Sequence, residues 1–387
     1  MQIIQIGPYP KQSSVVGGGV EAAVHGLSHE LSIEHEIVVL DLPRTDFRND
    51  FIEKGDVSIY RFSSKSGGYF SKLLRVFSYV NTVKNLNFDL VHIHTTTLFS
   101  LILYLLLKIS SKQRICVTIH GLAHVEMLNK YNSEKTFKSF SKYIFQSFVE
   151  FSFINICSSF IVDTAYVELR LKEYKNECKI FRVPRCVVIP QGIKQNYFNL
   201  CRTADKSMFL LAIGAFNRRK GHLKLLEAFH QVLHDVPEVR LDIAGTLSDL
   251  AYFNKMKSKI NELNLSPYVT LHPNIKSEEL DSLLINARIF VLHTEEESQG
   301  IVFCEAMAVG LPIVTTAVGG VPYVLEHEVN AMLSPYDDMS SFSRNIVELL
   351  HNPRLEESMS LTNREGSTKY DWKSIAELVL KEYKRIK

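Results

Sequence analysis

Two doubly wound α/β domains facing one another across a cleft are the architecture expected of this chain, on three observations. Strand-length apolar runs alternate with amphipathic stretches of helical period over nearly the whole sequence, the pattern of parallel sheets joined by crossover helices. The alternation stops at a polar interval, residues 194–206, and then restarts with comparable units. At roughly 150 residues per domain, 387 residues leave room for two or three domains.

The first expected domain covers residues 1–193. Its strands fall at 2–6, 36–41, 57–61, 90–94, 114–119, 160–163 and 187–190, each dominated by Ile, Val, Leu or Phe. Helical stretches fill 20–31, 70–86 and 135–153. The most apolar segment, 98–107 (LFSLILYLLL), is half the ~20 residues a membrane-spanning helix needs, so it reads as a buried helix. The second expected domain covers 194–370, with strands at 207–214, 239–244, 269–272, 289–292, 312–315 and 331–333. Helices lie between them at 221–234, 251–263, 278–285 and 300–309. A closing helix at 372–386 carries apolar residues at 375, 376, 378, 379, 380 and 383 and would cap either domain; residues 371–387 are counted with the first. Ligands of open α/β sheets bind beyond the C-terminal ends of strands, so two such domains place a site between them.

Composition narrows the class. Hydrophobic residues make up 46% and charged residues 22%, which excludes a disordered or collagen-like chain. A net charge of +2 argues against a nucleic-acid partner held by bulk electrostatics. The balance hides an asymmetry: residues 1–200 hold 23 basic and 17 acidic side chains (net +6), and residues 201–387 hold 21 and 25 (net −4). The six cysteines, at 116, 157, 178, 186, 201 and 304, form no C-x-x-C pair and none stands at zinc-ligand spacing with a histidine. They read as reduced core residues. The N-terminus, MQIIQIGPYP, lacks the basic and apolar regions of a signal peptide. A cytoplasmic chain is expected, soluble or peripheral at the inner face of the cytoplasmic membrane.

Gly17-Gly18-Gly19-Val20-Glu21-Ala22 matches G-x-G-x-x-A, and Asp41 ends the next strand where a dinucleotide-binding protein keeps its ribose acid. The spacing argues against that use, because ten residues separate Ile6 from Gly17, whereas the fingerprint follows its strand directly. The loop instead fits anion contact at a helix start, or a structural turn.

In the second half, Gly214-Ala215-Phe216-Asn217-Arg218-Arg219-Lys220-Gly221 follows a strand and opens a helix. Cations at a helix N-terminus are unfavourable unless an anion compensates them, and a diphosphate would do so, with Arg as a bidentate partner and Lys as a point charge. Further on, Glu305 lies in an apolar helical run, IVFCEAMAVG, where an unpaired carboxylate is costly to bury. It should have hydroxyl or N–H partners, and a ribose supplies two hydroxyls.

Seven residues separate Glu297 from Glu305, and the run ESQGIVFCEAMAVGLPIVTTAVGG resembles the signature of retaining GT-B glycosyltransferases, glycosyltransferase family 4 in particular. GGVE near the N-terminus, VHIH at 91–94, His120-Gly121, PQGI at 190–193, RKG at 219–221 and Tyr370-Asp371-Trp372 follow in the family's order. The resemblance implies two Rossmann-like domains and an enzyme that moves a hexose-type sugar from a UDP- or GDP-sugar to a glycan or polyprenyl-diphosphate-linked acceptor. The setting it implies is bacterial surface polysaccharide biosynthesis: O-antigen and other lipopolysaccharide, capsule or exopolysaccharide. By the same resemblance, Glu305 would hold the ribose hydroxyls, Glu297 would meet the donor sugar, and Lys220 with Arg219 would neutralise the diphosphate. Backbone N–H groups of Gly300, Ile301 and Val302 would join that cradle, Gly18 and Gly19 would approach the phosphates, and His120 would sit near the transferred sugar. No D-x-D triplet occurs, which agrees with a metal-independent site and no cofactor, the nucleotide-sugar being a substrate. The family's usual account is front-face attack within an ion pair, the leaving phosphate helping to deprotonate the acceptor. Three positions depart from the pattern: Ala215 stands where many members have Arg, leaving Arg218 or Arg219 to replace it; Gln191-Gly192 replaces Asn-Gly; and Tyr323 replaces a Glu. A GT-B-shaped nucleotide-sugar epimerase and a non-catalytic glycan-binding protein are the alternatives, and Lys220, Glu297 and Glu305 together argue against both.

His92 and His94 share a face of one strand with no third ligand spaced to join them, so they read as hydrogen-bonded core residues rather than metal ligands. The stretches 69–84 and 130–153 mix Lys and Arg with aromatics at helical spacing. That suits peripheral contact with anionic lipid, or amphipathic helices with solvated lysines.

Overall fold

Ile3, Ile4 and Ile6 of strand β1 (Gln2–Gly7) are fully buried because both faces of this strand are covered, as expected for the middle of a parallel sheet. The computed structural model describes residues 1–11, 18–43, 49–63, 74–86, 88–110, 114–178, 184–203 and 208–386. Gly17, residues 70–73 of the helix expected at 70–86, residues 69–73 of the basic aromatic stretch and residue 207 lie outside them. The chain divides into two units, one of Met1–Lys11, Gly18–Gln191 and Trp372–Lys387, the other of Gly192–Asp371.

In the first unit β1 is followed by α1 (Gly19–Ser32), β2 (Glu36–Asp41), β3 (Phe51–Glu53), β4 (Ser58–Arg61) and α2 (Val76–Asn85). Then come β5 (Leu90–Ile93), α3 (Leu98–Ser110), β6 (Arg114–Ile119), α4 (Ala123–Glu134), α5 (Phe137–Ile156), β7 (Ser159–Val162), α6 (Ala165–Cys178) and β8 (Arg185–Val188). The strands form one sheet in the order β3-β4-β2-β1-β5-β6-β7-β8. Ile4 lies opposite Val38 on one side and Val91 on the other, both pairings parallel. The antiparallel edge pair β3–β4 departs from the expected all-parallel sheet. β3 is three residues long and exposes Phe51 and Ile52, so it carries no burial pattern for a sequence reading to detect. Helices α4 and α6 also go beyond the expected elements; both are rich in polar side chains, and their apolar positions form no clear helical stripe. The apolar segment at 98–107 is the buried helix α3, and among the described residues no helix is long and apolar enough to cross a membrane.

The second unit begins with a single helical turn, α7 (Asn196–Asn199), and continues with β9 (Phe209–Ile213), α8 (His222–Asp235), β10 (Arg240–Gly245), α9 (Leu250–Glu262) and β11 (Val269–Pro273). It goes on through α10 (Ser277–Asn286), β12 (Ile289–Leu292), α11 (Ile301–Val309), β13 (Ile313–Thr316), β14 (Met332–Ser334), α12 (Met339–His351) and α13 (Pro353–Ser367). Its sheet is parallel throughout, in the order β11-β10-β9-β12-β13-β14. Side-chain caps fix where several helices begin. Asp249 accepts from the Tyr252 amide at 3.0 Å, Asp338 from that of Ser341 at 2.8 Å, and Asn352 from that of Leu355 at 3.2 Å with Pro353 following.

The closing helix α14 (Trp372–Arg385) belongs to the first unit. Its Ile375, Ala376, Val379 and Tyr383 join Val24, Leu27 and Leu31 in one apolar cluster. A Cβ on Gly26 would overlap the Trp372 indole, so this glycine lets α1 and α14 approach. Arg185 pairs with Glu382 at 2.7 Å, and Arg114 donates to the Tyr383 carbonyl at 3.1 Å.

Candidate active site

In an open parallel sheet the loops diverge where the strand order reverses, and the gap left there receives the ligand. In the second unit that point lies between β9 and β12, so the loops after those two strands meet. They carry Arg218, Arg219, Lys220, Glu297 and Gly300, and lead into the helix that bears Ile301, Val302 and Glu305.

After β9 the chain passes Gly214 and enters a 3-10 turn, Arg218–Lys220, whose start is capped by Asn217 accepting from the Lys220 amide at 3.4 Å. Gly221 then takes φ +62°, and a Cβ there would overlap the carbonyl oxygen of His293 on the neighbouring loop. The Lys220 stem lies along Gly214, whose missing Cβ would stand 3.0 Å from two of its carbons. These two glycines let a lysine turn inward, where it is 9% exposed.

After β12 come the buried His293 and Thr294, then Glu297, 5% exposed. Thr315 and Thr316 of β13 tie this loop down by donating to the carbonyls of Leu292 at 2.7 Å and Thr294 at 2.6 Å. The Gly320 amide donates to the Glu297 carbonyl at 2.8 Å, and Gly319, at φ +53°, lies against the same carbonyl with no room for a Cβ. The Glu295 amide donates to the Arg219 carbonyl at 2.8 Å and joins the two loops.

The side chains then converge. Glu297 accepts from Lys220 Nζ and from Thr294 Oγ1 at 3.2 Å on one oxygen, and pairs with Arg219 at 3.3 Å on the other. Arg219 also donates to the Glu296 carbonyl at 2.9 Å. Burial opposes the Glu297 charge, but Lys220 and Arg219 more than offset it and hold the carboxyl below its ordinary value. Lys220 is shifted down, chiefly by burial, with Glu297 opposing the shift and Arg219 adding to it. The anion that compensates the cations at this turn is therefore Glu297. Arg218 points elsewhere, reaching Glu295 at 3.4 Å from a side chain more than half exposed.

Gly300 caps α11 from the left-handed region, φ +70°, so that Ile301 and Val302 supply the first helical amides. One turn on, Glu305 stands half-buried in the apolar helix. Among the described residues it makes no hydrogen bond or ion pair, so the partners expected for it are not found there. Burial pushes its carboxyl up to about 7; Lys194 and Lys220 pull it down, and Asp281 pushes it further up. No group of three or more His, Cys, Asp or Glu side chains is placed to hold a metal ion among the described residues.

In the first unit Asp41 is consumed by structure. It accepts from Arg61 at 2.8 Å and from the Tyr9 amide at 2.9 Å, and Arg61 also donates to the carbonyls of Tyr9 and Pro10 and to Glu53. Both Asp41 and Arg61 are buried, so this acid is not available to a dinucleotide ribose. No described protein atom lies within 4 Å of where a Gly18 Cβ would stand, so none of the described residues demands glycine there. Gly19 is nearly as open, with only the Gln191 side-chain oxygen at 4.0 Å. His120, at the end of β6, faces His94 Nδ1 at 3.2 Å and Gln191 Nε2 at 3.0 Å. His92 and His94 are buried and hydrogen-bonded, as read from the sequence. Thr294, Lys194 and Tyr383 carried no sequence signal of their own, and Gln191 stood out only as a substitution.

Comparison with known proteins identifies the family and the fold. The family model described as Glycosyltransferase Family 4 matches residues 17–194, and that described as Glycosyl transferases group 1 matches residues 194–366. The two matches together span residues 17–366, and the chain belongs to the GT-B-fold, family 4 type of glycosyltransferases. It is 29% identical over 208 residues to the D-inositol 3-phosphate glycosyltransferase of Mycolicibacterium smegmatis, 52% of this chain and 48% of that protein. It is 28% identical over 160 residues to a sulfoquinovosyl transferase of Arabidopsis thaliana, 40% of this chain and 30% of that one. The chain thus spans about half or less of the length of these relatives. Among solved structures it resembles sucrose-phosphate synthase of Thermosynechococcus elongatus, with a TM-score of 0.84, 22% identity, and coverage of 100% of this chain and 99% of that chain. Anabaena HepE, solved with UDP-glucose, gives a TM-score of 0.75 at 15% identity with both chains fully covered.

Proposed function

We propose that this chain is a retaining, metal-independent hexosyltransferase that draws on a UDP- or GDP-sugar and delivers to a glycan or polyprenyl-diphosphate-linked acceptor in bacterial surface polysaccharide assembly. The observation that carries the reading is the pairing, at one strand-order reversal, of a buried Lys220–Glu297 pair joined by the partly exposed Arg219 with a half-buried Glu305 that has no partner among the described residues. Breaking an anomeric bond leaves a diphosphate, and preorganised cations are the means of stabilising it without a metal. Lys220 and Arg219 take that role, exchanging Glu297 for phosphate oxygens and freeing Glu297 to meet sugar hydroxyls. Glu305 accepts from the ribose hydroxyls. The amides of Gly300, Ile301 and Val302 add donors at the α11 start. Gly18 and Gly19 are assigned to the phosphates and His120 to the transferred sugar. Arg219 rather than Arg218 fills the place of the family arginine missing at Ala215. UDP-glucose bound to HepE and the part of WaaG, a neighbour of TM-score 0.73, in lipopolysaccharide biosynthesis support a nucleotide-sugar donor and a surface-glycan setting.

The test is a panel of UDP-, GDP- and ADP-sugars with EDTA present, scored for released nucleoside diphosphate and for the anomeric configuration of the product. Turnover with a UDP- or GDP-sugar and a retained anomer is the expected result. Loss of turnover in EDTA, or an inverted product, would sink the corresponding part of the reading.

A membrane-facing partner surface belongs to the same proposal. Helix α5 exposes Phe137, Phe140, Ile144, Phe145 and Phe148 alongside the exposed Lys138 and Lys142. Aromatics flanked by lysines bind anionic bilayers through combined burial and charge. The protein should sediment with phosphatidylglycerol vesicles at low salt and be released at high salt, and Phe137→Ser with Phe148→Ser should weaken both. Equal partition onto neutral vesicles would remove the charge component.

A further inference from the structure

The first unit contains a chain of hydrogen bonds that runs from β7 to the closing helix and passes through His120. Its direction can be worked out from the groups that have only one possible role. The Asp163 carboxylate accepts from Gln191 Nε2 at 3.3 Å, which fixes the amide so that its other N–H faces His120 Nδ1 at 3.0 Å. An amide nitrogen only donates, so Nδ1 is bare and the ring is neutral with its proton on Nε2. That N–H points at His94 Nδ1, 3.2 Å away, which puts the His94 proton on Nε2, donating to Gln5 Oε1. The Gln5 amide, so oriented, donates to Tyr383 Oη at 3.3 Å. Tyr383 Oη then meets His92 Nδ1 at 2.7 Å, and His92 Nε2 meets Thr118 Oγ1 at 2.7 Å; a hydroxyl takes either role, so the fixed direction ends at Tyr383. From Asp163 to Tyr383 every link has the same polarity, and reversing one of these would set two donors or two acceptors face to face.

The environment agrees. Gln5, His92, His94, Thr118, Asp163 and Tyr383 are all buried. Burial pushes His92 to about 3 and His120 to about 4, and holds His94 well below its ordinary value. The three rings face one another and uncharged amide and hydroxyl groups, with Asp163 the one carboxylate on the chain. Neutral groups in a consistent chain strengthen one another, and the ring so fixed has neither a lone pair nor an N–H to spare.

We propose that Asp163, Gln191, His94, Gln5 and Tyr383 are positioning residues that lock His120 as a neutral imidazole with its proton on Nε2, so that His120 shapes the site through its ring and main chain and takes no part in proton transfer. The closing helix thereby contributes to the site through Tyr383, although it touches no reacting group. The proton released by the attacking hydroxyl goes to an oxygen of the departing phosphate instead. The proposal rests on the transferase reading only for its consequence in catalysis; the locked tautomer stands on the protein alone.

The test uses the full chain with 15N-labelled histidine, the His120 signals being those lost in His120→Gln. Wild-type protein is expected to show bare Nδ1 and protonated Nε2 at His120, unchanged across the ordinary histidine range of about pH 6 to 7. Tyr383→Phe removes one neutral hydrogen bond while keeping the ring. It should mix the tautomers of His92, His94 and His120 and lower kcat about 3–10-fold, with the donor KM little changed. Thr118→Val, at the far end, should disturb the His92 signals in the same way. A protonated Nδ1 or a titrating ring at His120 in the wild type overturns the proposal, and that measurement needs no variant. Unchanged histidine spectra in both variants overturn it as well. Absence of turnover with every donor defeats the transferase reading and leaves the spectra to decide the lock.

Discussion

Replacing Lys220 by methionine lowers kcat by about 10²–10³-fold, the usual effect of removing one preorganised group that stabilises developing negative charge. Methionine keeps a flexible stem for the groove over Gly214, so the turn retains its packing and only the ammonium is lost. The variant also leaves Glu297 with Arg219 and Thr294 as its remaining partners. In the wild type the Glu297 carboxyl lies below its ordinary value when folded. Its contribution to stability is therefore present above that ordinary value and is lost as pH falls through the folded one. Without Lys220 the burial penalty is offset by less, and this contribution shrinks at neutral pH. The single variant should therefore unfold at a lower temperature, and Lys220→Met combined with Glu297→Gln should recover the midpoint without recovering activity. That pair of results separates the structural ion pair from the catalytic cation. A single variant with near-wild-type turnover of released nucleoside diphosphate would show that Lys220 does not meet the leaving group.

The reach of sequence reading differs between the parts of this site for physical reasons. Strands buried on both faces are continuous apolar runs, so β2, β6 and β12 stand at the expected boundaries. The short edge strand β3 has no such run and was not seen. The Lys220 and Glu297 loops were legible because both sit at strand ends with glycines that only a tight turn requires. What the sequence did not carry is the partner of each charge. It led us to expect an external anion for the cations after β9, and the fold supplies Glu297 from a loop 77 residues on. It led us to expect partners for Glu305, and the described fold leaves them out. The chain from Asp163 to Tyr383 was invisible because it links residues on or just after four strands (β7, β6, β5 and β1) with Gln191 and the last helix, and hydrogen-bond polarity has no periodicity to read. Asp41 illustrates the converse: its position in the sequence imitates a ribose acid, and Arg61, twenty residues away, removes it from consideration.

Replacing Glu305 by glutamine should move stability and function in opposite directions. Burial raises this carboxyl to about 7 in the folded chain, and the described residues offer it no hydrogen-bond donor. A carboxyl raised on folding favours the folded state below its unfolded value, and that advantage is lost as pH rises from the ordinary carboxyl range towards about 7. At about pH 8 the wild type therefore holds a half-buried charge with no hydrogen-bond or ion-pair partner among the described residues, and glutamine relieves it. With allowance for the remaining solvent contact, the gain is about 1–2 kcal/mol, or a rise of roughly 2–6 °C in the unfolding midpoint of a domain this size. Below about pH 4 the wild-type carboxyl is mostly protonated in the folded and unfolded chain alike, and the difference should close. Function should move the other way. A carboxylate accepts from both ribose hydroxyls, whereas a carboxamide accepts from one and sets its NH₂ against the other, a loss of about 10–10²-fold in donor kcat/KM. Nucleotide binding should show the same loss without any sugar present, because the ribose is common to both. A variant both more stable and weaker in nucleotide binding is the signature of a charge kept for a bound ligand. If Glu305→Gln were instead less stable at about pH 8, the carboxylate would be a structural member of the fold and its ribose role would fall.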